Sequence, residues 1–132
     1  MALKYGFFDA AYDEQTGTYD RQYLSDDMSD YFGVIVGNGV FKKEGDALEV
    51  IPSGDGMSIV VSTGFATARG RYLNNTEPYT IELEESSSYS RIDIIVARMS
   101  TFQNERDFKL IVWTGSPSEY PTAPSIVRNE GI

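Results

Sequence analysis

The chain has 132 residues, no cysteine, no histidine and a formal net charge of −9. That length fits one domain with a real core. The two missing residue types exclude disulfides, zinc sites and Ser-His or Cys-His catalysis. The acidic balance argues against a nucleic-acid partner, and the lack of a run of about 18 apolar residues argues against membrane insertion.

Residues 1–24 form an aromatic and acidic amino-terminal arm without helix or strand periodicity. The stretch Gln15–Thr18 predicts a turn, because Gly17 can take a positive φ. So many rings need a covering surface, either on their own domain or on a neighbouring subunit. We favour the neighbour and expect an inter-subunit arm that includes Tyr5, Phe7, Phe8 and Tyr12.

One short helix is predicted over about residues 25–36, in a segment that runs from 25 to 39. Ser25 is the expected N-cap, and the dipole favours acids in the first turn. Apolar residues at spacings of three and four make one stripe: Leu24, Met28, Tyr31, Phe32 and Ile35. Gly33 is expected to weaken the helix by about 1 kcal/mol.

Three acids in this helix could be metal ligands by residue type: Asp26, Asp27 and Asp30. Complementarity with the helix dipole and solvation explain them more simply. The sequence therefore predicts no metal and no other cofactor.

Residues 40–114 change to the pattern of a β-domain, with short strands about ten residues apart and turns between them. Ala47–Ile51 is expected to be one strand, and Tyr79–Leu83 alternates as a half-exposed strand does. The pattern favours an antiparallel β-sandwich or barrel-like domain. The chain is therefore predicted to be a single, mainly β domain with one short helix and extended terminal arms.

The segment from 91 to 113 is predicted to be a central hairpin. Two nearly continuous apolar runs flank a polar tip, as in strands that are covered on both faces. Charges inside such a strand need partners. Arg91 shares the face of Asp93, and Arg98 lies on the opposite face of a regular strand. These charges are therefore expected either in a buried ion pair, in which Asp93 pairs with Arg91 or accepts backbone donors, or at a subunit interface.

Residues 115–132 carry spaced prolines and are predicted to be an extended strap. A strap needs a surface to lie on, either its own sheet or a neighbour. No pair of acids stands out in an apolar pocket pattern, so we expect no enzymatic activity and no catalytic residues.

Several short motifs follow one another in the same order as in prophage proteins of Gram-positive bacteria. They are Gly6–Phe8, Asp26–Phe32, Asn38–Phe41, Gly64–Tyr72, Arg91–Arg98 and Thr114–Pro124. Over most of its length the chain resembles structural components of phage tails, in particular the amino-terminal modules of baseplate or receptor-binding proteins. Such proteins usually run on beyond the prolines, whereas this sequence ends at Ile132.

This resemblance implies assembly rather than catalysis. It implies a homo-oligomer, often a trimer, and contacts with other tail or baseplate proteins. It also implies a place in the virion after synthesis in the host cytoplasm.

A carbohydrate-binding module that recognises host cell-wall saccharides is the alternative. Sugars stack on aromatic faces and hydrogen-bond to carboxylates. Tyrosines that could serve are Tyr72, Tyr79, Tyr89 and Tyr120.

Overall fold

The structure is a computed structural model that describes residues 3–126. Within that range it contains one helix and ten strands, which form four small antiparallel sheets. Strands make up 33% of the described residues and the helix 9%. The predicted mainly β class with one short helix is confirmed.

The elements are short and follow each other closely along the chain. In order they are β1 (Tyr12–Asp13), β2 (Thr18–Tyr19), α1 (Ser25–Ile35), β3 (Gly39–Val40), β4 (Val50–Pro52), β5 (Ser58–Val61), β6 (Gly64–Ala68), β7 (Arg71–Asn75), β8 (Tyr79–Glu82), β9 (Ile94–Ser100) and β10 (Asp107–Trp113). The β1–β2 hairpin closes through the turn predicted around Gly17, whose φ is +70°.

The remaining strands form two three-stranded sheets and one hairpin. The strand orders are β3-β6-β7 and β4-β5-β8, and β9 pairs with β10 over seven residues. A two-stranded hairpin is at best marginally stable alone, and a three-stranded sheet needs a hydrophobic face. The two sheets and the hairpin share one core, in which Leu48, Val61 and Ala66 are buried. The sheets and the hairpin also supply half-buried residues that pack on this cluster: Ile59, Leu73, Ile81, Ile95, Ala97, Phe108 and Leu110.

The β9–β10 hairpin contributes to this core, but its two faces are not fully covered. Met99 and Ser100 are buried, while the rest of β9 and most of β10 are half-buried. The continuous apolar runs are typical of strands with both faces covered. A single chain supplies only part of that cover.

The first predicted strand of the β-domain begins later than expected. Ala47 and Leu48 have φ values of +57° and +55°, which is left-handed backbone that cannot continue a strand. The prediction of a strand over Ala47–Ile51 is therefore wrong at its start, and β4 begins at Val50. The turn at Leu48 places its side chain in the core, where it is 8% exposed.

The helix is capped one residue earlier than predicted. Leu24 is the N-cap, with extended backbone, and Ser25 is the first helical residue. Asp27 Oδ2 accepts a hydrogen bond of 2.7 Å from the Leu24 N–H, so the third helical residue satisfies the backbone of the cap.

Small residues allow α1 to pack closely on the turn between β6 and β7, and we call this contact of Ser29 and Gly33 with Gly70 the helix seat. Ser29 is the buried residue of the helix, and a Cβ built at Gly33 would lie 3.4 Å from Gly70 N. A Cβ at Gly70 would overlap the Ser29 carbonyl oxygen and lie 2.8 Å from Gly33 N. Gly33 therefore allows close packing of the helix on this turn. From the sequence, Gly33 was expected only to weaken the helix.

We expect Gly70→Ala to destabilise the fold by about 3 kcal/mol or more. Gly70 has a φ of +77°, which costs an L-residue about 1–2 kcal/mol, and the clash with the helix adds about 1–3 kcal/mol. Urea denaturation measures the loss. Gly54→Ala is the matched control, because Gly54 has a φ of +80° and no neighbouring atom within 4 Å of its Cβ position. Equal losses of unfolding free energy in the two variants would contradict close packing of the helix on Gly70.

Candidate functional site

Arg91 and Asp93 form an ion pair at the start of β9. Arg91 Nε lies 3.0 Å from Asp93 Oδ1, and the two side chains are 10% and 14% exposed. The Arg91 guanidinium also donates to the Glu85 carbonyl oxygen at 2.6 Å and to that of Glu84. The pair thus fastens the segment after β8 to the base of the central hairpin.

Asp93 extends this junction to Gly115, two residues after the end of β10. Its Oδ1 accepts a 2.9 Å hydrogen bond from the Gly115 N–H. A Cβ at Gly115 would overlap the Ile92 carbonyl oxygen, so only glycine allows the backbone to approach this closely. Burial raises the pKa of Asp93, but hydrogen bonds from Arg91 and Gly115 and the Arg91 charge outweigh it and hold the pKa below its ordinary value. The carboxylate is therefore satisfied where it stands.

Arg98 does not join this junction. Arg98 Nη1 lies 2.6 Å from Glu105 Oε2 in the loop at the tip of the hairpin. This hydrogen bond lowers the pKa of Glu105 and raises that of Arg98. Of the three charges predicted for this hairpin, the structure brings Arg91 and Asp93 together and sets Arg98 apart. The sequence did not single out Glu105 or Gly115, because loop closure determines both contacts.

The amino-terminal arm lies against the helix of its own chain. The ring of Phe7 meets those of Tyr23 and Tyr31, each with a centroid separation of 5.5 Å. Tyr5 contacts Phe8 edge to face at 6.2 Å. Tyr12 pairs with Tyr19 across the β1–β2 hairpin. The four arm residues nevertheless stay 50–74% exposed, so their own chain covers only part of them.

The three acids of α1 have separate structural roles. Asp26 pairs with Arg71 at 2.8 Å, Asp27 caps the helix, and Asp30 lies 3.7 Å from Lys4. Between residues 3 and 126 no group of three or more acids converges as metal ligands would.

The apolar stripe of α1 faces outward. Its five residues are 46–62% exposed: Leu24, Met28, Tyr31, Phe32 and Ile35. A stripe of this kind normally faces the core of its own domain. The sequence identified the stripe, but not its direction, since that depends on the seat formed by Ser29 and Gly33 on Gly70.

Three further rings form a stacked row on the sheet β3-β6-β7. Phe65 lies between Phe41, at 5.2 Å, and Tyr72, at 5.5 Å, with interplanar angles of 22° and 6°. Tyr72 is 67% exposed at one end of this row. The other candidate tyrosines are exposed too, and in the described chain no ring contact joins Tyr79, Tyr89 or Tyr120 to the row.

An open cleft of about 1410 Å³ lies between α1, the β6–β7 turn and the tip of the β9–β10 hairpin. Charges of both signs line it, among them Asp30, Arg106 and Asp107. Its volume exceeds the roughly 300–1,000 Å³ of typical small-molecule pockets. The cleft is therefore larger than a typical pocket, and it is open to solvent.

Within residues 3–126, no helix is both long enough and apolar enough to cross a membrane. Searches against protein-family models, curated proteins and solved structures found no match.

We expect Asp93→Asn to lower the free energy of unfolding by about 2 kcal/mol, the usual contribution of hydrogen bonds to a charged group. The substitution keeps the shape but leaves Arg91 without a compensating charge. Glu105→Gln is the control, because the Arg98–Glu105 pair is more exposed than the Arg91–Asp93 pair, and it should cost less. Denaturant titration at pH 7 compares the three proteins.

The loss in Asp93→Asn should also depend on pH. The folded-state pKa of Asp93 lies below that of the unfolded chain, so its contribution is complete above about pH 4 and is lost as the pH falls through the folded-state value. The stability difference between wild type and variant should then shrink in acid. A constant difference down to the lowest measurable pH would contradict the role of the charged pair.

Proposed function

We propose that the chain is a non-enzymatic structural component of a phage tail or baseplate that joins the tail to receptor-binding appendages through homo-oligomeric contacts. The observation that carries the assembly role is the accessible surface of 10198 Å². A compact monomer of 14.7 kDa exposes roughly 6,900 Å². The excess is roughly 3,300 Å².

This excess is of the size that oligomer interfaces cover. An obligate interface buries about 1,000–2,500 Å² or more of each partner. The excess therefore supports homo-oligomeric contacts, and the preference for a trimer comes from the resemblance to phage tail proteins.

Two further observations support a structural role. The ionisable groups of the Arg91–Asp93 junction are engaged in fastening the fold, which leaves no evident nucleophile or base there. The exposed apolar residues are numerous, and contiguous apolar patches on a soluble protein mark interaction sites. The tail assignment itself comes from the ordered motifs described above, from Gly6–Phe8 to Thr114–Pro124.

Light scattering at micromolar concentration should give a mass near a multiple of 14.7 kDa, with three copies favoured. The physical reason is the apolar surface that a lone chain leaves in water. Sedimentation velocity on a dilution series provides the control for nonspecific aggregation, which would give no fixed mass. A strictly monomeric protein over the whole series would contradict the homo-oligomeric role.

Carbohydrate binding is the second candidate, and the exposure of Tyr72 favours it. Its ring stands at the end of a stacked row, so one face can meet a sugar ring. Phe65 is less suitable, because its ring is stacked on both sides.

One experiment separates the two candidates. Tail particles purified from a host that carries the gene should contain this chain, and particles from a deletion strain should lack appendages in electron micrographs. The isolated chain should not be retained on purified host cell wall. Retention that Tyr72→Ala abolishes, together with particles that lack the chain, would support the carbohydrate module and contradict the tail role.

A further inference from the structure

We propose that the outer face of α1, together with the arm beside it, forms one side of the contact between copies of this chain. We call this surface the aromatic face and define it by Phe7, Phe8, Tyr23, Met28, Tyr31 and Ile35. The inference rests on the proposed function and adds which surface carries the assembly.

The seat of the helix determines which side faces outward. Ser29 and Gly33 lie against Gly70, and at about 100° per residue Tyr31 points about 160–200° away from both. Met28, Tyr31 and Ile35 are accordingly 53%, 54% and 62% exposed. The helix cannot turn these residues inward without lifting Gly33 off Gly70.

The arm makes this surface continuous. Phe7 touches Tyr31 edge to face at 5.5 Å, and Tyr23 Oη accepts a 2.8 Å hydrogen bond from the Phe8 N–H. Phe7 and Phe8 remain 50% and 58% exposed. The arm therefore enlarges the outer face of the helix and leaves it uncovered.

The area of the aromatic face suits a protein partner. At roughly 200 Å² for each large side chain, its six residues expose roughly 600 Å². The largest apolar patch on a typical monomer is about 300–600 Å², and a standard interface buries about 800 Å² on each side. The face thus lies at the upper limit for a monomer and supplies most of one standard interface.

A second copy of the chain is the partner that fits best. The excess surface of each chain supports oligomeric contacts, and a copy of the chain itself is the partner that the proposed function names. Two acids beside the face are engaged within the chain, since Asp30 lies 3.7 Å from Lys4 and Asp27 is used by the helix cap. The face itself is formed by aromatic and aliphatic side chains, which suits contact between copies of the chain.

The net charge of −9 gives this contact a salt signature. Like-charged copies repel one another, and added salt screens that repulsion. Self-association should therefore tighten as salt is raised, whereas binding to a basic protein would weaken.

The lack of native cysteine allows a direct test with single-cysteine variants. Ile35→Cys places a thiol on the aromatic face, and Ser86→Cys places one in the exposed loop after β8 as the control. Maleimide labelling of Ile35→Cys should slow by about ten-fold or more between nanomolar and high micromolar protein, as burial in the oligomer requires. Labelling of Ser86→Cys should change little.

A second pair of variants tests the energetics by sedimentation. Tyr31→Ser should raise the dissociation constant of the oligomer by about ten-fold or more. Tyr89→Ser, at a tyrosine that is 59% exposed in a loop, should leave it unchanged. Circular dichroism checks that both variants are folded.

The outcomes distinguish this inference from the proposed function. If the wild type assembles while Ile35→Cys labels at one rate throughout and Tyr31→Ser assembles normally, the aromatic face is not the contact and the oligomeric role stands. A monomeric wild type overturns both. A third outcome is that association requires another tail protein and weakens as salt is raised. The face then binds a different partner, and the proposed contact between copies is wrong.

Discussion

The fold depends on one small core that three sheets share. Each sheet has only two or three strands, and the residues that pack on the core come from all three. Val61, which is 1% exposed, belongs to the strand between β4 and β8, and Ala66, which is 2% exposed, belongs to the strand between β3 and β7. The Arg91–Asp93–Gly115 junction then closes the open end of the β9–β10 hairpin. Because the core is small, much apolar surface is left for other contacts.

The helix shows how that surface is displayed. A helix usually packs its apolar stripe on the core and keeps small or polar residues outside. Here the small side, Ser29 and Gly33, is packed, and the stripe around Tyr31 faces water. Close packing at Gly70 fixes this orientation, so exposure of the stripe follows from the backbone geometry of the β6–β7 turn. The arm adds rings to the same side through Phe7.

Much of the local structure could be predicted from the sequence, because it depends on neighbours in the chain. The helix, the Gly17 turn and the strands of the β9–β10 hairpin follow from periodicity and turn residues. Leu48 could not be predicted in this way, since its left-handed backbone is compensated by burial that only the folded core provides. The outward direction of the helix stripe and the pairing of Arg98 with Glu105 depend on how distant segments meet, which no local pattern encodes. The subunit contact remains a prediction.

The charged and apolar residues of this chain have opposite roles. Charges that interrupt the central hairpin are satisfied inside the chain, as Asp93 is by Arg91 and Gly115, so they contribute little to contacts with other molecules. The apolar residues of the arm and helix, in contrast, remain largely exposed to water. Burying them releases ordered water without the desolvation cost that a buried charge carries. A net charge of −9 opposes this association at long range, so close fit of apolar faces has to supply its free energy. An assembly held in this way would discriminate by shape, as the proposed contact between copies requires.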